Sequence, residues 1–370
     1  VNTKFLSSEQ PITVEATRSG RPEAVHSVYA VCADSSGEML GRFGDPTWAT
    51  YERSLAKPLQ LLTVLGFRPS LLDECSDEEI AVMASSHSAE PGHIAAIRGI
   101  MKRYGIDENL LLCGFHPLFL PQTIWDMGRQ NLVTTPIYHN CSGKHTGMLL
   151  ACQEMGWDFA TYNRPDHPMQ LANTKTVAWY AGKDPETIEY GFDGCGVPTW
   201  WLDLHAIALA SARFGDPDWG ESDLEKRARD RIFEAYHRAA WYTAGSERFC
   251  TPFNEQSDGK WLGKIGGEAV FGVSFRDRGI GIGIKVLDGN RRGLPPALLY
   301  AMKKWDLISD DQLERLSDWV QVERRNAPGW LVGYDKVRAD IFQMSDSEMK
   351  DNHEGTKTRR AAKREEIDPL

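Results

Sequence analysis

The sequence predicts an α+β fold, on three observations. A strand hairpin stands near the start, helix-forming segments fill the middle, and a strand-rich stretch comes late. Regular strand–helix alternation, the mark of a parallel sheet, is missing.

The elements follow in order. Val28 to Cys32 is an apolar, β-branched run that leads into Asp34-Ser35-Ser36-Gly37, and Glu38 to Phe43 returns, so Val25 to Phe43 reads as a hairpin. Leu59, Leu61, Leu62 and Leu65 recur largely on one side of a helix that starts after Ser54 and stops at Gly66. Ser88 as cap, Pro91 in the first turn and Gly105 as stop mark a second helix over His93–Tyr104. Further helices are predicted at Lys144–Met155 and about Leu202–Ala212, and Asp216–Trp241 is charged and helix-forming. Val270–Leu287 reads as strand, with the glycines of Gly279-Ile-Gly-Ile-Gly283 forming a small-residue face under a helix. From Asp346 onward the chain is charged and without apolar periodicity, which predicts a tail.

The 370 residues suit one large domain or two packed lobes, and 41% apolar with 25% charged residues is ordinary globular usage. The net charge of −10 argues against a nucleic-acid surface, and the twelve tryptophans lack the basic cluster of a stacking platform. No run reaches the roughly 18 uncharged apolar residues of a membrane span. The opening residues hold no apolar signal core, and seven scattered cysteines without a CxxC pair predict reduced thiols in a cytoplasmic protein.

Arg53-Ser-Leu-Ala-Lys57 places a serine and a lysine at i, i+3, on one helical face. A serine hydroxyl needs a base to become a nucleophile. To act near pH 7, a lysine must fall roughly 3 units from its usual value, a cost of about 4 kcal/mol that burial and nearby cations can supply. Downstream come Ser85-Ser-His-Ser88 and Lys264-Ile-Gly266. The order S-x-x-K, hydroxyl loop, K-x-G resembles serine β-lactamases and penicillin-binding proteins, although the middle motif is not S-D-N and Ile265 replaces Thr or Ser. It allows two couples, Ser54 with Lys57 and Ser86 with Lys264.

Asn140-Cys-Ser-Gly-Lys-His145 fails as a phosphate-binding loop, because His145 follows the lysine and Tyr138 stands where a glycine is needed. With Asp193-Gly-Cys-Gly-Val-Pro198 it offers two glycine-flanked thiols, either ligands for a soft ion or plain buried cysteines. His87, Glu90 and His93 have the wrong spacing for a zinc-protease helix, and His116-Pro117 and His167-Pro168 read as turns.

Together these motifs resemble the rhizobial-type (class 3, asparaginase II) L-asparaginases, from about Thr13 to about Gly333. The resemblance is carried by Arg18 to His26, Arg53 to Gln60, Ser86 to His93, Cys113-Gly, His139 to His145, His167 to Gln170, Asp193 to Pro198, Gly263 to Glu268 and Asp288-Gly289. It implies a β-lactamase-like fold, an antiparallel sheet with packed helices and a helical lobe, and hydrolysis of L-asparagine to L-aspartate and ammonia by a homodimer. It makes Ser54 the nucleophile beside Lys57, Ser86 and Lys264 a second couple, and Cys141, Lys144 and Cys195 a metal site, usually zinc. On that reading Arg53 and Lys264 help to neutralise Lys57. Motif adjacency suggests Arg53 for the substrate carboxylate and Asp193 for its ammonium. Residues 1–340 are then one catalytic domain and 341–370 the tail. The rival readings are attack by Ser86, a penicillin-recognising enzyme, and an inactive metal-stabilised binding protein.

Overall fold

The computed structural model describes residues 5–220 and 222–338; the charged tail expected at 341–370 lies outside them. Arg21–Asp34 is the long central strand of a nine-stranded sheet. Ile12–Arg18, Leu331–Val337 and Gln321–Arg325 follow on one side, and Ile280–Val286, Val270–Phe275 and Trp261–Ile265 on the other, each antiparallel to its neighbour. Met39–Phe43 also pairs with the central strand, so the predicted hairpin forms with a longer first arm.

Alternation along the central strand sends its side chains to two cores. Val31 and Ala33 pack with the helices, whereas Ala30 and Cys32 join a cluster under the Leu294–Lys304 helix. The sheet is thus covered on both faces. The Leu204–Gly215 helix lies so close on the inner face that a Cβ at Gly281 would stand 2.2 Å from Ala208 O and Ala212 N. The strand glycines therefore do form a small-residue face under a helix, while Ile282 and Ile284 point to the other core.

Several element boundaries differ from expectation. Leu202 belongs to the strand Pro198–Asp203, which pairs with Ala49–Tyr51, and the helix begins only at Leu204 because the Asp203 carboxylate accepts from Ala206 N. Gly66 lies inside the Lys57–Phe67 helix. Ser88 does not cap the Pro91–Tyr104 helix, since its hydroxyl donates to Ala244 O. The 142–155 helix starts two residues early, at Ser142, and the charged segment forms its helix over Asp223–Arg238, capped by Ser222. All seven cysteines are buried and free. Among the described residues no helix is long and apolar enough to cross a membrane.

Gly281→Ala forces backbone apart at the helix–sheet contact. It should lower stability by about 1–3 kcal/mol, seen as a lower urea midpoint at unchanged slope; an unmoved midpoint would contradict this packing.

Candidate active site

Lys57 opens the first long helix directly after the short 3-10 turn Arg53–Ala56. Arg53 has a left-handed backbone, φ 53°, a costly conformation for a non-glycine residue that persists where neighbours enforce it. Here the enforcement comes from bonds on both sides: Arg53 N donates to Thr199 Oγ1, and Glu52 N to Trp200 O. The turn also abuts the end of the Trp261–Ile265 strand, where a Cβ at Gly266 would lie 2.4 Å from Glu52 O. Glycine after Lys264-Ile265 is thus required by the approach of two backbones.

The strand delivers Lys264, and the loop after the Asp77–Met83 helix delivers Ser86. Their side chains meet. Lys57 Nζ donates to Ser86 Oγ at 2.8 Å, Ser85 O at 2.6 Å and Asn140 O at 3.2 Å, and Lys264 Nζ reaches Ser86 Oγ at 3.2 Å and bonds Ile265 O. The Ser86–Lys264 contact is as expected. The Ser54–Lys57 hydrogen bond is not made: the Lys57 amine turns to Ser86. Ser54 stays half-buried, while Ser86 is only 3% exposed.

Burial pulls the Lys57 amine below its usual range; the Cys141 thiol opposes this and Lys144 adds to it. Lys264 falls well below, through burial first and the neighbouring Lys57 second. Neither Arg53 nor Lys264 is among the groups that depress Lys57, contrary to expectation: Lys144 takes that place, and the Arg53 guanidinium turns to the Asp193 carboxylate. The two residues expected to hold opposite ends of a zwitterion are paired with each other.

Asp193 also joins the expected metal site. Donor atoms of Cys141, Cys195 and Asp193 all lie within 4.8 Å of one another, and Lys144 Nζ stands 3.0 Å from Cys195 Sγ. A hydrogen bond from Cys195 and the neighbouring amines of Lys57 and Lys144 hold the Cys141 thiol well below its usual range against burial, and Cys195 is pushed up as the donor of that bond. Burial works against the charge on Lys144, yet the thiols of Cys195 and Cys141 and the Asp193 carboxylate outweigh it and keep the amine protonated. Two thiols and a carboxylate form a donor set suited to a zinc-like ion. Lys144 can join them only after losing its proton.

Three further residues hold the site. Arg248 donates to Ser86 O and Ala244 O, and burial lowers its guanidinium to about 10. His116 Nε2 accepts from Asn140 N, which fixes the carbonyl that Lys57 uses. His139 Nδ1 accepts from Cys141 N. Only His139 sat inside a recognised motif; Arg248 and His116 act across long sequence distances that no local pattern reveals.

Residues 14–337 match the L-asparaginase II family, and the chain belongs to it. That membership makes it an amidohydrolase. No curated protein matches the sequence. Among solved structures, native Mglu is 12% identical over 77% of this chain and 67% of its own, with a TM-score of 0.43. Mglu in its tris and glutamate form is 12% identical over 83% and 65%, TM-score 0.40. A Bacillus glutaminase is 13% identical over 76% and 91%, TM-score 0.34. The chain spans about two thirds of the length of these Mglu structures.

The lowered amine of Lys264 has a stability signature. Between its lowered native titration and about pH 10.4 the unfolded chain carries a proton on this lysine that the native amine does not, so native stability rises with pH through that window. Lys264→Met should therefore stabilise the fold by about 1–4 kcal/mol near neutrality, an advantage that shrinks toward pH 10. Urea unfolding at several pH values reads this, and a destabilised variant would mean that the amine is charged and paired.

Proposed function

We propose that the chain hydrolyses the side-chain amide of L-asparagine to L-aspartate and ammonia by acyl transfer through Ser54. The observation that carries this reading is the Ser86 hydroxyl held between the buried amines of Lys57 and Lys264, with the more accessible Ser54 one helical turn before Lys57. The same lysine–serine–lysine order supports a β-lactamase-like arrangement of the site.

In the proposed mechanism neutral Lys57 takes the Ser54 proton as the oxygen attacks the amide carbon, and backbone N–H groups hold the oxyanion. The swing of the Lys57 amine from Ser86 to Ser54 accompanies substrate binding, since such bonds tighten only in the complex. The proton then passes through the Ser86 hydroxyl, oriented by Lys264, to the departing nitrogen. Ammonia leaves. Water, deprotonated by Lys57, cleaves the aspartyl ester and restores Ser54. Arg53 and Asp193 open from their mutual pair to receive the α-carboxylate and α-ammonium. Glutamine differs by one methylene, worth only about 1–3 kcal/mol in such a pocket.

For the metal, Cys141 and Cys195 with Lys144 or Asp193 would hold zinc. When bound it supplies a fixed cation that ties two loops together. We assign it a positioning role, because serine and lysine already provide nucleophile and base. A cytoplasmic homodimer completes the proposal.

Ammonia release from asparagine should fall by at least about 10³-fold in Ser54→Ala and by about 10²–10⁴-fold in Ser86→Ala. Trapping with an electrophilic asparagine analogue should label Ser54; an adduct on Ser86 alone would reassign the nucleophile. Turnover of a chromogenic β-lactam without ammonia release would favour the penicillin-recognising reading, and no release from folded, metal-loaded protein the binding-protein reading. Chelation should raise KM by about 10–100-fold, whereas unchanged kcat/KM and affinity would remove the metal from positioning.

A further inference from the structure

Glu52 precedes the catalytic turn, and its backbone is fully used: N–H donates to Trp200 O and the carbonyl accepts from Leu55 N. Its side chain is unexplained. The residue is only 2% exposed, and its Oε1 has no hydrogen-bond partner. An unpaired buried carboxyl costs several kcal/mol if ionised and still leaves a desolvated polar group if neutral, so chance retention is a poor account of it.

The carboxyl borders a cavity of about 30 Å³, enough to hold a water. Leu55, Pro58 and Leu59 from the turn and first helix, Ile207, Ala210, Ser211 and Phe214 from the covering helix, and Leu262, Lys264, Gly272 and Ser274 from the sheet close it. Of these, Lys264 alone is titratable, and from outside the cavity its amine is faced by Lys57, Arg248, Cys250 and Cys141. The Ser211 hydroxyl is already committed to Ile207 O. Arg53, the next residue, faces Asp193 instead. Gly272 pairs in register with Lys264, and a Cβ there would meet Leu55 and Ser211, so Lys264 leaves the sheet on the face that Glu52 occupies.

We propose that Glu52 and Lys264 share one proton across this cavity through a bound water, which makes Glu52 a positioning residue that sets the protonation state of Lys264. The proton leaves a Glu52 carboxyl oxygen, crosses by exchange through the water and ends on Lys264 Nζ; the couple passes from acid and amine to carboxylate and ammonium at constant net charge. Burial favours the first form, pushing Glu52 up to about 8 and Lys264 well below its usual range. Lys264 can then hand a proton toward Ser86 and recover it without leaving an isolated charge in a dry site. The inference rests on Lys264 serving the proposed hydrolysis, but the coupling can be measured without it.

The test uses the full chain and the variants Glu52→Gln, Lys264→Met and their double. Urea midpoints at pH 6 and pH 9 should be non-additive. Glu52→Gln should also move the acid limb of the kcat profile down by about one pH unit, lowering kcat while KM stays. Additive midpoints with an unmoved limb, the pattern of a merely structural carboxyl, would overturn the proposal. Non-additive midpoints in a protein that releases no ammonia would support the coupling and sink only the hydrolysis reading. Should Glu52→Gln fail to fold, infrared titration of the protonated carboxyl in wild type and Lys264→Met replaces it: loss of the amine should shift that titration to higher pH, and an unshifted band would overturn the coupling.

Discussion

Three lysines lose their water in one small region, and the rest of the site depends on how each is satisfied. Lys57, Lys144 and Lys264 are all buried, at 0%, 4% and 1% exposure. A buried ammonium is stable only with an anion or a full set of acceptors. Lys144 finds the Cys141–Cys195 thiols and Asp193 and stays charged. Lys57 and Lys264 share one hydroxyl and otherwise meet backbone carbonyls, with the Cys141 thiol beside Lys57 only partly offsetting its burial. Burial, with Lys144 acting on Lys57 and Lys57 acting on Lys264, then favours the free amine. One group of lysines thus divides into a structural cation and two candidate bases through partners alone.

This division requires close and unforgiving backbone packing. Ser54 and Lys57 come from the helical side of the molecule, Lys264 from the sheet, and Ser86 from a loop between helices. They converge only because the Gly266 backbone rests against Glu52 O and because Arg53 accepts a left-handed conformation beside it. The Leu204–Gly215 helix, pressed on Gly281 and Gly283, fixes the sheet relative to that turn. Backbone strain at Arg53 and glycine contacts at Gly266 and under the covering helix therefore fix how closely Lys57 and Lys264 approach Ser86.

Much of this was legible in the sequence. The glycine face of 279–283, the opening hairpin, the helices after Ser54 and over 142–155, and every residue of the Ser86–Lys264 and Cys141–Lys144–Cys195 groups stood in recognisable local patterns. Interactions between motifs were not legible. The i, i+3 spacing correctly puts Ser54 and Lys57 on one side of the chain, but it cannot show that a second serine, 29 residues after Lys57, competes for the amine. Motif adjacency named Arg53 and Asp193 as separate ligands, whereas opposite charges that fold together, 140 residues apart, pair first. Arg248 and Glu52 carry no local signal: one is a lone arginine before a short helix, the other a lone glutamate at a strand end. Their roles arise from burial, which single residues do not announce.

Asp193 shows how such pairing joins parts that the sequence keeps apart. One carboxylate oxygen accepts from Arg53, beside Ser54, and the other lies 3.6 Å from Cys195 Sγ. The cations Lys144 and Arg53 hold the group ionised against burial and the Cys141 thiol. One carboxylate thus belongs both to the ion pair beside Ser54 and to the thiol cluster, so the packing of either group constrains the other. A lone pattern around Asp193-Gly-Cys195 cannot announce this, because it arises only when Arg53 and the Cys141 loop fold against the same side chain.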